Sequence, residues 1–413
     1  MRGVHDLELE RPVRVTFARN RVRGTTDAGV AYDFHCPDVD KFPAQFSWDS
    51  CWHAIALRRL DPAAARAELR TLLRGLEPDG LLPHTLLWHR RVRASRALIY
   101  NLQHLGDRAT RTTQPPFEAM AWEIVADASA DDPAFRAEAI DALAARHAWL
   151  ARERDPDGTS LVAIISPDES GLDASPAYDA PLGWQQAGLP GFAWHIVQLR
   201  RDRFRMDAVL ARGGFCAQDV LVTTAHALSL RALARLSGDP AHDWQAERVE
   251  RALLEQCWDD ERGLFFHRVV PSGEQLRVST WASLAPLALP SLPRAHADRL
   301  AEHIADPRRY ALPYPVPSTA ADEPGFQRRT GHIPRYWRGS TWIATSWLVH
   351  RGLVQHGYLD LARDVARRTV RTVAGHGLRE YHDPVDGMPQ GARGFGMSAL
   401  ALDLEWWLRE DAG

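Results

Sequence analysis

The chain has 413 residues, 45% hydrophobic and 25% charged, which is the composition of an ordinary globular protein with enough apolar residues for a large core. A formal charge of −3 gives no reason to expect a nucleic acid or an anionic membrane as a partner. No apolar run is long enough to span a bilayer, and the first residues lack the apolar segment of a signal peptide, so we expect a cytoplasmic location.

Helical periodicity dominates the chain. Strand-like alternation is confined to short pieces such as 13–17 and 161–165, and about residues 1–40 are expected to be irregular. The apolar spacing predicts helices over 48–60, 62–76, 118–128, 133–152, 218–236, 240–258, 280–289, 294–304, 340–356, 358–374 and 395–409. No flexible linker or low-complexity tract separates them, so we expect residues 1–413 to form a single domain.

The same helix-start and turn residues recur between the helices. Asp-Pro pairs, with Asp as the N-cap and Pro at the first helical position, begin second helices at Asp61, Asp132 and Asp239. Turns with a glycine follow these helices at Gly80, Gly158 and Gly263, and a fourth copy runs from Tyr358 to Gly387. This pattern predicts stacked helix pairs with short turns on one side and long loops on the other.

Six such pairs give an all-α (α/α)6 barrel. Periodicity does not distinguish a closed ring from an open solenoid, but the unequal loops favour the ring. In a ring the long loops, over 41–50, 81–91, 111–117, 165–179, 328–342 and 379–395, share one face. They contain aromatic residues, carboxylates and amides beside Gly or Pro, which predicts a polar pocket with aromatic walls.

Two of these loops are rich in carboxylates. The loop over 165–179, ISPDESGLDASPAYD, contains Asp168, Glu169, Asp173 and Asp179, and the loop over 379–395 contains Glu380 among others. The chain also has fifteen tryptophans, whose flat faces pack well against sugar rings. Two remote acidic loops in such a chain suggest an acid/base pair on either side of a sugar.

Five motifs in order along the chain carry a family resemblance. SWDSCWHA (47–54), TTQPP (112–116), ESGLDASP (169–176), YWRGSTW (336–342) and REYHDPVDG (379–387) resemble glycoside hydrolase family 63, in particular its compact bacterial mannosylglycerate and glucosylglycerate hydrolases. The resemblance covers about residues 42–408 and implies an (α/α)6 catalytic domain with an inverting mechanism. The short chain argues against the large oligosaccharide-processing members, so a small compatible-solute glycoside is the expected substrate.

The resemblance also implies roles for individual residues. Asp173 would be the general acid and Glu380 the general base. The candidates for substrate binding are Trp48, Asp49, Gln114, Gly171, Arg335, Tyr336, Trp337, Arg338 and Trp342. The chain departs from many relatives at Asp168, where they have an aromatic residue, and at Ala174, where they often have Asn.

The proposed chemistry places demands on the neighbours of this pair. Asp173 must hold a proton at working pH, so its loop should be desolvated or close to another carboxylate, for which Glu169 is the candidate. Glu380 must stay ionised, with help from Arg379 or His382.

A glycerate group would need a cationic partner for its carboxylate. Arg328, Arg329, Arg335 and Arg338 are concentrated beside the Tyr336-Trp337 pair, and Arg205 is another candidate. The sequence does not choose among them, nor between mannose and glucose.

Other functions fit the fold class. One is an α-glucosidase acting on a neutral small glycoside or oligosaccharide, and another is an (α/α)6 sugar epimerase that uses loop histidines such as His53, His84, His332 and His382. A non-catalytic helical scaffold is a third. No motif indicates a metal site, a cofactor, or a Ser or Cys nucleophile. The four scattered cysteines are expected to be reduced and buried, and a homo-oligomer is left open.

Overall fold

The computed structural model describes residues 8–89, 100–104, 106–129, 132–186, 188–329 and 336–411. Their α-helices are α1 (Glu10–Asn20), α2 (Ser47–Leu57), α3 (Pro62–Leu73), α4 (Glu118–Asp127), α5 (Pro133–Ala137), α6 (Ile140–Glu153), α7 (Asp179–Leu182), α8 (Leu189–Arg201), α9 (Met206–Ala211), α10 (Val220–Ser237), α11 (Pro240–Ala252), α12 (Arg294–Ala305), α13 (Ile343–Gln355), α14 (Leu359–His376) and α15 (Leu400–Asp411). No described helix is both long and apolar enough to cross a membrane.

The strands are short, with at most five residues each. They are β1 (Arg21–Thr25), β2 (Ala31–His35), β3 (Gln45–Phe46), β4 (Thr85–Leu86), β5 (Ala163–Ile164), β6 (Ala217–Gln218), β7 (Trp258–Asp259), β8 (Leu264–Phe265), β9 (His267–Val269), β10 (Gln275–Leu276), β11 (Arg379–His382) and β12 (Pro389–Arg393). One sheet has four strands in the order β10-β9-β6-β5, and the other pairs are β1-β2, β3-β4, β7-β8 and β11-β12.

Six elements form a closed inner ring. In order they are α2, α4, α10, the 3-10 helix Trp281–Ala288, α13 and α15; each packs on the next, and α15 packs on α2. An outer layer that includes α3, α6, α11, α12 and α14 packs on this ring, and α1 lies against the 3-10 turn Gly396–Ala399 before α15. This is the (α/α)6 barrel that the sequence predicts, closed rather than open.

The Asp-Pro pairs begin helices as predicted. The carboxylates of Asp61, Asp132 and Asp239 accept hydrogen bonds from the backbone N–H groups that follow, and a proline occupies the first turn of α3, α5 and α11. The fourth copy differs, because Tyr358 at the N-cap of α14 makes no side-chain cap bond. The four turn glycines, Gly80, Gly158, Gly263 and Gly387, all have positive φ.

Several predicted helices are divided differently in the structure. The helix expected over 133–152 is split into α5 and α6, and the one expected over 240–258 ends as α11 before the π-turn Leu253–Cys257. The segment over 280–289 is a 3-10 helix with Pro286 inside it, and proline has no N–H for an α-helical bond. The apolar spacing did not predict α7, α8 or α9.

The described part of the N-terminal segment, residues 8–40, contains a helix and a hairpin where the sequence predicts irregular structure. The piece over 13–17, which alternates like a strand, lies in α1, whose buried residues Val13, Thr16, Phe17 and Asn20 follow helical spacing. The antiparallel hairpin β1-β2 follows. The backbone N–H groups of Glu8 and Leu9 donate to Glu405 of α15 at 2.8 and 3.1 Å, so a long-range contact fixes this segment. The single-domain assignment stays a prediction.

Asp403 of α15 connects three elements of the inner ring. One of its carboxylate oxygens accepts from Arg58, directly after α2, at 2.5 Å, and the other accepts from the Trp347 indole of α13 at 2.7 Å. The side chains of Arg58 and Asp403 are only 12% and 13% exposed, and Trp347 is buried. A partly desolvated ion pair of this kind therefore joins the last helix of the ring to the first.

We expect Asp403→Ala to lower the free energy of unfolding by about 2–4 kcal/mol, because it leaves a buried guanidinium and indole N–H without their acceptor. Urea unfolding followed by circular dichroism measures the change. The control is Asp360→Ala, which removes a fully exposed partner of Arg363. Equal effects of the two substitutions would contradict a ring-closing role for Asp403.

Candidate active site

The acidic loop is held close to α2 by a glycine. The 3-10 turn Pro167–Ser170 ends at Gly171, which has φ 74°. A Cβ at Gly171 would lie 2.5 Å from the Trp48 ring, so this position needs both the conformational freedom and the small size of glycine. The close approach places Asp173, two residues later, beside the aromatic face of the site.

Asp173 has the environment of an acid. Burial raises its pKa to about 7, and the negative charges of Asp168 and, more weakly, Glu380 act in the same direction. His84 acts in the opposite direction. An aspartate with this pKa holds its proton at neutral pH in an appreciable fraction of molecules.

The neighbour that raises the Asp173 pKa is not the one predicted. Glu169 forms a buried bidentate pair with Arg154, at 2.6 and 3.0 Å, and also accepts from the Ile165 N–H at 2.8 Å. Asp168 acts instead, buried beside Asn101 and with His84 Nδ1 3.7 Å from its carboxylate. Asp168 is also the residue at which the motif departs from many relatives.

Glu380 has the opposite kind of neighbour. It lies on β11 and is 2% exposed, and its Oε2 accepts from Lys41 Nζ at 2.7 Å and from the Ala392 N–H at 2.7 Å. Burial raises the Glu380 pKa, and the Lys41 ammonium opposes that rise. A cation thus faces the carboxylate that must stay ionised.

The predicted helpers of Glu380 do not make this contact. Burial lowers the His382 pKa to about 4, so this imidazole is neutral at pH 7 and supplies no positive charge. Arg379 donates to the Gly391 carbonyl at 3.2 Å. Lys41 lies in the predicted pocket loop 41–50, but no role was predicted for it. The sequence nevertheless singles it out by its residue type. Lys41 is the only lysine among the 50 lysine and arginine residues of the chain.

Most of the predicted site residues line one cavity of about 100 Å³. The predicted members are Trp48, Asp49, Gln114, Gly171, Asp173, Tyr336, Trp337, Trp342 and Glu380. Residues that the prediction did not include are Pro37, Phe42, Phe46, His84, Phe395 and Met397. The volume is well below the roughly 300–1,000 Å³ of cavities for drug-sized ligands, so it suits a small ligand.

Stacked aromatic rings form one wall of this cavity. The rings of Trp337 and Trp342 lie parallel, 4.0 Å apart and 10° from coplanar, and Tyr381 stacks on Trp342 at 5.0 Å. Trp337 has φ 65°, a strained conformation for a bulky residue, and its carbonyl accepts from Thr319 Oγ1 at 3.0 Å. The surrounding structure therefore holds this indole in a fixed orientation.

Two polar side chains of the wall can serve a ligand with hydroxyl groups. The Gln114 carbonyl oxygen accepts from Ser47 Oγ at 3.0 Å and the Trp48 N–H at 3.1 Å, which fixes the orientation of its amide. Asp49 is buried, and its Oδ1 has no partner among the described residues. Burial and the nearby Glu380 charge raise the Asp49 pKa well above its ordinary value.

The described arginines of the 328–338 segment do not line the cavity. Arg328 and Arg329 each contact both Asp383 and Asp386, at 2.6–3.1 Å. Arg338 is buried and pairs with Asp179, so it joins this segment to the acidic loop instead of facing a ligand. Arg335 lies outside the described residues.

The loop histidines are also dispersed. His84 lines the cavity, whereas His53 and His382 are buried, and burial lowers their pKa values to about 3 and 4. His332 lies outside the described residues. All four cysteines are free and buried, as predicted. In the part of the chain that the structure describes, no group of three or more His, Cys, Asp or Glu side chains could hold a metal ion.

A larger cleft of about 970 Å³ lies elsewhere, between the β1-β2 turn, the end of α3 and the segment around Arg108. It contains none of the predicted site residues. The smaller cavity, where the carboxyls of Asp173 and Glu380 meet aromatic rings, is therefore the candidate active site.

Similarity to known proteins extends over most of the chain. The profile of the mannosylglycerate hydrolase MGH1-like glycoside hydrolase domain matches residues 42–398. The mannosylglycerate hydrolase of Thermus thermophilus is 30% identical over 90% of this chain and 96% of that protein. The glucosylglycerate hydrolase of Mycolicibacterium hassiacum is 25% identical over 88% of this chain and 92% of that protein.

Structural similarity has the same extent. The family 63 mannosylglycerate hydrolase from Thermus thermophilus, crystallised with Tris and D-glycerate, matches with a TM-score of 0.84 and 28% identity. The match covers 97% of this chain and 100% of that one.

The environment of Asp173 has a consequence for stability. A folded-state pKa of about 7, raised from 3.8, means that the fold loses stability as pH rises between these values, because the buried carboxyl must ionise. Asp173→Asn avoids this penalty. We expect the variant to unfold at higher urea than the wild type above about pH 7, and at the same urea below pH 3.8. Equal stabilities at high pH would contradict the raised pKa.

Proposed function

This chain belongs to the mannosylglycerate hydrolase MGH1-like family of glycoside hydrolases, and we propose that it hydrolyses the α-glycosidic bond of mannosylglycerate or glucosylglycerate with inversion at the anomeric carbon. The proposal follows from the relatives, whose names include both activities, and from the chemistry of the cavity. The products are the hexose and glycerate.

The observation that carries the proposal is the pairing of two desolvated carboxyls with opposite electrostatic neighbours in one cavity. The carboxylate of Asp168 beside Asp173 favours its protonated form, whereas the ammonium of Lys41 beside Glu380 favours its ionised form. Asp173 protonates the glycosidic oxygen as the bond to the anomeric carbon breaks. Glu380 removes a proton from the water that attacks the opposite face.

The cavity wall suits the sugar. The aromatic side chains that line the cavity, including Trp48, Trp337 and Trp342, give the sugar an apolar surface to contact. The Gln114 amide and the carboxyl of Asp49 offer hydrogen bonds to hydroxyl groups from fixed positions. A cavity of about 100 Å³ accommodates one small glycoside better than an oligosaccharide.

The glycerate carboxylate requires a cation near the aglycone. The structure of the Thermus thermophilus relative was determined with D-glycerate. In this chain Tyr336 of the cavity wall belongs to the arginine-rich 328–338 segment, and we assign the carboxylate to an arginine of this segment. Arg329 is the first candidate, because about half of its side chain is exposed and its guanidinium has donors in more than one direction.

Asp173→Asn and Glu380→Gln should each reduce turnover at least ~100-fold, because each removes a positioned proton donor or acceptor. The substrates to compare are mannosylglycerate, glucosylglycerate and simple α-disaccharides. NMR that monitors the release of hexose and glycerate measures the change in turnover and identifies the substrate.

Matched controls for these two variants are Asp360→Asn and Glu302→Gln, which change exposed carboxylates on the outer helices. Both controls should retain wild-type turnover. Near wild-type turnover in Asp173→Asn or in Glu380→Gln would remove that residue from the mechanism. Turnover of the disaccharides alone would replace the glycerate substrate with a neutral one.

The enzyme should discriminate against the same glycoside of neutral glycerol. A charge-assisted contact to the glycerate carboxylate is worth about 1.5–3 kcal/mol, which corresponds to a roughly tenfold to hundredfold difference in kcat/KM. Arg329→Ala should reduce kcat/KM for the glycerate substrate and affect the glycerol substrate much less. Equal wild-type kcat/KM for the two substrates would refute the glycerate assignment and leave the glycosidase assignment intact.

A further inference from the structure

Lys41 stands out both in the sequence and at the site. Every other basic residue among the 50 lysines and arginines of this chain is an arginine. The one ammonium lies 2.7 Å from the carboxylate of Glu380. Its Nζ also donates to the Tyr336 hydroxyl at 3.3 Å, and lies 4.8 and 5.2 Å from the ring centres of Phe42 and Tyr336. These contacts hold the ammonium in place.

The two oxygens of Glu380 have different surroundings. Oε2 accepts both donors, the Lys41 ammonium and the Ala392 N–H, each at 2.7 Å. Gly391 approaches the same carboxylate so closely that a Cβ would lie 2.4 Å from Oε2. No donor from the described residues reaches Oε1. Among the described residues, one oxygen is therefore anchored by two donors and the other has none.

The choice of lysine explains this asymmetry. A guanidinium is a planar fork that can engage both oxygens of a carboxylate, as Arg154 does with Glu169 in this same structure. An ammonium is a compact charge without this fork, and the Lys41 ammonium contacts one oxygen of Glu380. In a chain that uses arginine everywhere else, the single lysine occupies the position where a fork would cover the oxygen that water needs.

We propose that Lys41 is a positioning residue for the general base: it keeps Glu380 ionised through one oxygen and leaves the other free to accept the proton of the attacking water. This inference rests on the proposed function of Glu380. The other groups that face Glu380 are the carboxyls of Asp38, Asp49 and Asp173 and the side chain of Arg379. The Asp38 carboxylate opposes the ionisation of Glu380, and Asp49 and Asp173 do so whenever they are ionised, so the Lys41 charge has no equal substitute.

The test compares Lys41→Met with Lys41→Arg through the pH dependence of kcat/KM. Without the ammonium the Glu380 pKa rises, so the acidic limb in Lys41→Met should move to higher pH while the alkaline limb, set by Asp173, stays in place. On the acidic side kcat/KM should fall about tenfold or more.

Lys41→Arg retains the charge, so its acidic limb should stay near the wild-type position while kcat falls about tenfold or more, since the fork displaces the water.

A control substitution and a chemical modification separate this role from a structural one. Arg308→Met removes an exposed partner of Asp306 and should move neither limb. The Lys41 side chain is 38% exposed, so an amine-acetylating reagent can reach it and remove its charge, whereas reductive methylation leaves the charge in place. Acetylated wild-type enzyme should show the Lys41→Met profile, and methylated enzyme should keep the wild-type acidic limb. Lys41→Arg has no lysine but keeps the N-terminal amine, so it controls for modification of that amine. Its pH profile should change with neither reagent.

Each result points to one conclusion. A bell-shaped wild-type profile with an unshifted acidic limb in both Lys41→Met and acetylated enzyme would overturn the role of Lys41 and leave the proposed function standing. Unchanged kcat in Lys41→Arg would overturn the argument for a single-oxygen contact. Absence of hydrolysis of any glycoside by the wild type would instead refute the proposed function.

Discussion

Contact between the last and the first helices of the inner ring is the constraint on which the site depends. Asp403 of α15 holds Arg58 after α2 and Trp347 of α13, and this closure fixes which loops share a face. Because the ring is closed, the loop of Asp173 and the hairpin of Glu380, far apart in sequence, border one cavity. An open solenoid of the same helices would separate them.

Within that cavity the two carboxyls differ in their neighbours. Both are desolvated, which alone would raise both pKa values and leave the groups alike. Asp168 adds a negative charge on one side, and Lys41 adds a positive charge on the other. The site thereby obtains an acid and a base from two groups of similar intrinsic chemistry, at a cost in folding stability that the large core offsets.

Local signals made much of the fold predictable from the sequence. The Asp-Pro caps and apolar spacing identified the helix pairs, and the ordered motifs contain most of the residues that line the cavity. The failures involve contacts remote in sequence: Glu405 anchoring the N-terminal segment, Arg154 neutralising Glu169, and Lys41 facing Glu380. Spacing along one helix carries no information on such pairs. The only local signal for the Lys41–Glu380 contact was that Lys41 is the single lysine of the chain. This signal singles out Lys41 but does not identify Glu380 as its partner.

The stereochemistry of the first sugar released tests the central claim most directly, namely that Asp173 and Glu380 act from opposite faces of one sugar. Proton NMR recorded during the first turnovers of an α-glycoside resolves the anomers before they equilibrate. The acid/base account predicts that the β-anomer appears first, because Glu380 activates water on the face opposite the departing group. An α-anomer formed first would contradict direct displacement by water.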